Sequence, residues 1–202
     1  MTDHEPHPDL DPLIRQRHSA LAFDPERPVI PAHQHLLLEA ANWAPSSYGD
    51  QPWRFILCDR HRDRPAWETA LACLMEGNRT WARHAPLFIL ACAFERLTQD
   101  GQPNRWAQYD TGAAVENLCL QATALELATR QMGGFHLDLT RERFAVPEEA
   151  TPMAFIAVGH PADPEALPGD LRRRALAPRA RVPLGERVFR GRWGNPWSPA
   201  GS

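Results

Sequence analysis

Leu87 to Ala93 reads Leu-Phe-Ile-Leu-Ala-Cys-Ala, an unbroken apolar run. A strand with one wet face alternates apolar and polar residues, so a run without alternation predicts a strand covered on both faces. Trp53 to Cys58 and Met153 to Gly159 read as two more buried strands. Segments with helical spacing lie between them. The expected class is therefore α+β: a central, mixed but mostly antiparallel sheet flanked by helices. At 202 residues the chain has room for one well-buried domain and not for two. A single domain is expected over residues 1–202, with a polar amino-terminal segment at 1–10 and a carboxyl-terminal extension at 190–202.

The helices follow from caps and spacing. Asp11 as cap with Pro12 at the first helical position predicts a short helix. Pro31 opens the next, whose Leu36, Leu37, Leu38, Ala40, Ala41 and Ala44 form a broad apolar face, and Ala44-Pro45 stops it. Ala66 to Met75 reads as a helix with Leu71, Leu74 and Met75 inward, broken by Glu76-Gly77-Asn78. The longest candidate runs from about Trp106 to Met132, apolar nearly all round and hence central, ending at Gly133-Gly134. Leu139 to Phe144 and Leu184 to Phe189 read as short helices. In the tail, Trp193 and Trp197 lie among prolines and glycines that deny it a regular element. At about 25 cal/mol per Å² that apolar area is expected to lie against this domain or a second copy.

Composition removes several chemistries. All 22 basic residues are Arg, so no lysine Schiff base and no P-loop lysine is available. A phosphate must be gripped by Arg forks, backbone N–H groups or hydroxyls. The net charge of −3 gives no bulk attraction to nucleic acid or an anionic membrane. The four cysteines form no CxxC pair and are expected to be reduced and buried. The first residues are acidic and proline-broken, and the longest apolar stretch, Ala85 to Phe94, is too short to span a bilayer, so a cytoplasmic protein is expected. The histidines are scattered without an HExxH pattern, so no metal is expected. Ser46 and Ser47 are not in a GxSxG elbow and read as loop hydroxyls. No GxGxxG follows a strand. Gly133-Gly134 reads as a helix cap that also lets the backbone approach a flat ligand.

Three stretches could still hold a ligand. Ala40 to Trp53 compresses a helix end, a small polar loop and a strand start into one segment, the kind of loop where ligands sit. Arg15 and Arg17 stand near Ser19. Arg179 and Arg181 stand between prolines, and RxR in an extended segment puts both guanidinium groups on one side, as a phosphate clamp requires.

The order of these signals resembles the FMN-dependent nitroreductase family. The resemblance rests on Arg17-His18-Ser19 with Phe23 after it and on Ala44-Pro45-Ser46-Ser47 followed by Gln51-Pro52-Trp53. It continues with Asn78 ahead of Ala85-Pro86, Gly134-Phe135 after the long helix, Val158-Gly159-His160 closing a strand, and Arg179 and Arg181 before Pro183. It covers roughly residues 13 to 190. It implies an intertwined homodimer with FMN at the subunit interface and the carboxyl-terminal tail wrapping the partner. Arg17, His18, Ser19, Arg179 and Arg181 would hold the phosphate and ribityl chain. Pro45, Ser46 and Ser47 would reach the flavin from the other subunit. Asn78 would meet the pyrimidine edge, and Gly133 and Gly134 would lie near N5. Three positions depart from the family: Leu21 where a cation is common, Gly49 where Asn is common, and Gly133 where Glu is common. They leave a more apolar flavin environment, and the short Phe94 to Arg105 connection implies an open site.

The implied reaction is hydride transfer from NADH or NADPH through flavin N5 to a nitroaromatic or quinone, in two half-reactions with no catalytic side chain. A non-enzymatic flavin-binding dimer, and an oxidase or flavin-cleaving relative, are the alternatives.

Overall fold

The computed structural model describes residues 7 and 9–198. Of the expected terminal segments, residues 1–6, 8 and 199–202 lie outside the described ones. The helices are α1 (Pro12–Gln16), α2 (Pro31–Asn42), α3 (Arg64–Cys73), α4 (Glu76–Ala82), α5 (Ala107–Ala124), α6 (Leu137–Arg143) and α7 (Gly169–Leu176). The strands are β1 (Trp53–Asp59), β2 (Leu87–Phe94), β3 (Ala128–Met132) and β4 (Ala150–Gly159). They form one sheet in the order β1-β2-β4-β3, and all neighbouring pairs are antiparallel. The only parallel element joined to it among the described residues is a lone bridge between Ser19 and Thr129.

The apolar run in β2 does what its composition predicts. Phe88, Leu90 and Cys92 enter a core with Trp67, Trp81, Phe155 and Ala157. Leu87, Ile89 and Ala91 enter a second core with Leu37, Leu118, Ile156 and Val158. Alternate residues of a strand point to opposite faces, so these are the two sides of one sheet. α3, α4 and α6 cover the first side, and α2 and α5 cover the second. The β2–β4 register slips between Ala91 and Cys92, opposite Ala154 and Pro152. Pro152 has no N–H to give the ladder, and a bulge is where an interior strand tolerates proline.

Asp11 caps α1 as expected, its carboxylate accepting from the Leu13 N–H at 2.8 Å. The long helix is the main correction. α5 stops at Ala124, and the residues expected to continue it form the edge strand β3. The stop is a glycine-type cap made without glycine. Glu126 takes φ +56°. The Leu127 N–H then donates to the Ala122 carbonyl at 2.8 Å and the Glu126 N–H to the Thr123 carbonyl at 3.0 Å. That is the paired Schellman arrangement, with Leu127 buried behind it. Gly133-Gly134 therefore closes a strand and is not a helix cap.

A second correction lies at Glu76-Gly77-Asn78, which belongs to α4 and breaks nothing. The break falls at Leu74 and Met75, both extended, with Leu74 buried and Met75 exposed rather than inward. α7 opens directly after Pro168. The tail closes a tight turn of its own. The Arg190 N–H donates to the Asn195 carbonyl and the Trp197 N–H to the Val188 carbonyl, both at 2.8 Å, with Gly191 and Gly194 at positive φ. Phe189 packs on Trp193 at 4.8 Å between ring centres, yet Trp193 stays 89% exposed. No helix among the described residues is long and apolar enough to cross a membrane.

All four cysteines are free and buried. Burial, then Asp63 and Cys73, pushes the Cys58 thiol from 9.0 up to about 12. The folded state thus keeps a proton that an unfolded thiol releases near 9.0. Stability from this group is full below pH 9.0 and falls as the pH rises towards 12. The folded protein is accordingly expected to leave Cys58 unlabelled by iodoacetamide at pH 8, and to label all four thiols in denaturant. Rapid labelling of Cys58 in the folded state would contradict this.

Candidate active site

The sequence-predicted residues gather in three groups, two of them at opposite ends of β3. The first is cationic. α1 ends at Arg17, and the chain then runs beside β3, where the Ala20 N–H donates to the Thr129 carbonyl at 3.1 Å. This pairing places Ser19 at the start of the strand. Arg179, arriving from the carboxyl-terminal segment, donates Nη1 to the Arg17 carbonyl at 2.7 Å and Nη2 to the Arg15 carbonyl. Two Arg clusters more than 160 residues apart in sequence thus meet. Arg17 itself is held by Glu116 of α5, Nε to Oε1 at 3.2 Å. The His18 ring lies 3.2 Å from the Gln16 carbonyl. Arg181 does not reach this corner; its guanidinium bonds the carbonyl of Ala180.

Arg130 completes the corner and escaped the sequence reading. It donates to the Ser19 carbonyl at 3.0 Å and lies over the Trp81 ring at 5.3 Å. Half-burial, then Arg174, lowers its pKa. It was hidden because Thr129 and Arg130 fell inside the expected long helix. Glu116 was hidden for a related reason, since nothing in sequence says which α5 residue faces Arg17. Leu21, where a cation was the family expectation, is a core residue, 4% exposed. Arg130 brings a cation to the same turn from the neighbouring strand.

The second group is a close backbone approach. The Gly134 carbonyl accepts from the Met75 N–H at 3.1 Å and from Asn78 Nδ2 at 3.0 Å. A Cβ on Gly134 would sit 2.9 Å from that Asn78 nitrogen, so only glycine lets the two meet. A Cβ on Gly133 would meet open space, so the Glu common in the family would fit there. From Thr129 to Gly133 is four strand steps, about 13 Å at about 3.3 Å per residue. β3 therefore spaces a cationic corner from a tight glycine contact by about the length of a small phosphorylated ligand.

The third group is the loop after α2. Ser46 Oγ accepts from the Gln51 N–H at 3.0 Å, and buried Asp110 in the first turn of α5 accepts from the Ser47 N–H at 2.9 Å. Asp50 accepts from the Thr98 N–H at 2.7 Å and from buried Asn104 Nδ2 at 2.8 Å. Tyr48, Gly49 and Gln51 all have positive φ, at 56°, 67° and 49°. Two of these are strained non-glycine positions, and the short-range network is what holds them. Gly49 at 67° also explains the family alternation, because Gly and Asn are the residues that best tolerate that backbone. Pro45 is exposed at the loop entrance. The loop meets α5 at Asp110 while the cationic corner meets it at Glu116. Helix geometry puts these contacts about 9 Å apart along the axis and about 120° apart around it. The loop and the cationic corner thus meet different sides of α5.

The sequence model of the nitroreductase family matches residues 14–160. The chain belongs to the nitroreductase family. A crystal structure described as an oxidoreductase containing FMN superimposes with a TM-score of 0.87 at 33% identity, covering 96% of each chain. An uncharacterized 15.4 kDa protein from the ask 5′ region of Mycolicibacterium smegmatis is 35% identical over 128 residues, 63% of this chain and 85% of the relative. The FMN reductase [NAD(P)H] of Bacillus subtilis (strain 168) is 25% identical over 177 residues, 79% of this chain and 69% of the relative.

Asp50 gives a direct test of the loop's construction. Asp50→Ala leaves the Thr98 N–H and the buried Asn104 amide without their acceptor, and is expected to cost about 1–3 kcal/mol in equilibrium urea unfolding. Asp100→Ala, which removes a bond only within its own turn, is expected to stay within about 0.5 kcal/mol of the parent.

Proposed function

We propose that this member of the nitroreductase family is an FMN-dependent oxidoreductase. It takes a hydride from NADH or NADPH and passes electrons to a small acceptor, a nitroaromatic or a quinone. The observation that carries the reading is the cationic corner, where Arg179 is fixed on the carbonyls of Arg15 and Arg17 beside Ser19 and Arg130. Guanidinium groups held on main-chain carbonyls keep their full charge and spare donors for an anion, and a chain without lysine must grip a phosphate in this way. The residues present fit FMN at both ends of β3. The corner suits the phosphate, and the open space beside Gly133 suits a flat ring against the backbone.

FMN, when bound, supplies the hydride-accepting and hydride-donating centre. The chain's part is to bind and orient. Ser19, Arg17 and Arg179 would hold the phosphate, and His18 and Arg181 would stand at its margin. Asn78, kept in place by the Gly134 carbonyl, would present its remaining amide valences to the ring, with Gly133 and Gly134 giving close backbone access. The homodimer belongs to the same proposal. Pro45, Ser46 and Ser47 stand on another side of α5 from the corner, so they would complete the site of a second copy. Exposed Trp43, Tyr48, Tyr109 and Trp193 would be covered in that assembly. The whole chain then acts as one domain with a carboxyl-terminal extension.

The purified protein is expected to be yellow and to bleach when NADH or NADPH is added without oxygen, with colour returning on addition of a quinone. Yellow protein that neither nicotinamide bleaches would be a flavin binder without reductase activity. Colourless protein that does not take up FMN would overturn the reading. Replacing Arg179 and Arg181 together by Ala is expected to weaken FMN binding by about 1.5–3 kcal/mol for each charge-assisted bond lost, measured by fluorescence titration. Unchanged affinity would remove the corner from the flavin site.

A further inference from the structure

A cavity of about 690 Å³ opens beside the cationic corner, lined by Gln16, His18 and Thr129 but not by Arg179. It lies where the end of α5, the start of β3 and the end of β4 converge. Its walls carry Arg27, His18, His33 and His160, set over an apolar floor that includes Leu127 and Ala128. Of the eleven site residues expected from sequence, it contains His18 alone. The size is that of a site for a small organic molecule.

The lining pairs one formal charge of each sign with three imidazoles. Arg27 is permanently cationic, and the three imidazoles can donate hydrogen bonds. Glu126 is the one carboxylate on the wall, and it is exposed. His33 lines the cavity and has its Nδ1 buried with no hydrogen-bond partner. His33 also stands in the first turn of α2, whose cap residue Ile30 offers the free N–H groups no side-chain acceptor. A twelve-residue helix with an uncapped amino end adds a further positive potential there.

We propose that this cavity is a second anion site, which holds the phosphate or carboxylate head of a small organic ligand, separate from the flavin-phosphate corner. Burial, then Arg27 and His33, depresses the His160 pKa against the Pro28 main chain and Asp24, so Arg27 outweighs Asp24 at this ring. Among the described residues no set of three or more His, Cys, Asp or Glu side chains is gathered to hold a metal ion, and a cation would in any case meet Arg27. The apolar floor has room for the body of the ligand beyond its charged head. The proposal goes beyond the flavin reading and does not depend on it, because Arg27, His33 and His160 have no part in the flavin site.

The test follows the histidine ring resonances of the full-length chain by proton–carbon NMR during separate titrations with inorganic phosphate and with acetate. Sodium chloride at matched ionic strength serves as the control. The protein is saturated with FMN, and the Arg179→Ala, Arg181→Ala double variant is measured in parallel. The His33 and His160 resonances are expected to move saturably with at least one of the two anions and not with chloride. A response to phosphate alone identifies a phosphate-bearing ligand, and a response to acetate alone a carboxylate. Arg27→Ala, an exposed position outside the core, is expected to weaken the response about tenfold or more. The double variant is expected to leave it unchanged, whether or not that variant keeps FMN. No saturable shift with either anion, or a shift that Arg27→Ala leaves intact, overturns the proposal. A shift abolished by the double variant overturns it too, by placing the anion in the flavin corner.

Discussion

The pairing of β2 with β4 is the interaction on which everything else rests. Leu90 faces Phe155 and Ile89 faces Ile156 across this ladder, and each side of the pair is sealed by a different set of helices. Every ladder bond at the centre is out of water, so the strands cannot part without exposing both cores. The outer strands borrow this rigidity. β3 has only five residues, and β4 is the one strand it pairs with among the described residues. It can still act as a fixed ruler because β4 is immovable.

The bridge from Ser19 to Thr129 converts that rigidity into a site. A turn in which Arg17 to Ser19 follow a five-residue helix would wander if left to itself. Pairing with β3, the pull of Glu116 on Arg17 and the grip of Arg179 on two carbonyls leave it one position. The far end is set in a similar manner, with Asn78 and Met75 both bonded to the Gly134 carbonyl. At both ends the side chains are already held by bonds within the chain. Pre-positioned donors of this kind lower the ordering cost that a ligand would otherwise meet.

Most of the architecture was readable because burial leaves a strong mark on composition. The apolar runs of β1, β2 and β4, the Asp11-Pro12 start of α1 and the Ala44-Pro45 stop all appear where their chemistry demands. The failures have a common cause, which is local signals overridden by tertiary bonds. Glu126 adopts a backbone that usually needs Gly, so no punctuation mark separates α5 from β3. Gly77 and Asn78 look like a break, yet α4 carries them because Trp81 and Ala82 are buried in the core. The site was legible as a set of segments but not as an assembly. Arg130 and Glu116 became visible only once β3 was a strand, and the cavity beside His160 is drawn together from five separate stretches of chain. Arg179 and Arg181 looked equivalent in sequence, whereas only Arg179 finds the carbonyls.

The composition of β3 has a consequence for how copies of this chain meet. A strand that pairs on one side only offers its free edge to any other strand nearby, the usual start of open-ended aggregation. β3 is short, and Arg130 and Gln131 occupy its middle. The Ser19–Ala20 segment already takes the bonding groups at Thr129. A second strand approaching this edge would have to strip water from a guanidinium and displace that segment. Arg130 and the Ser19–Ala20 segment thus also guard this edge against pairing with a further strand.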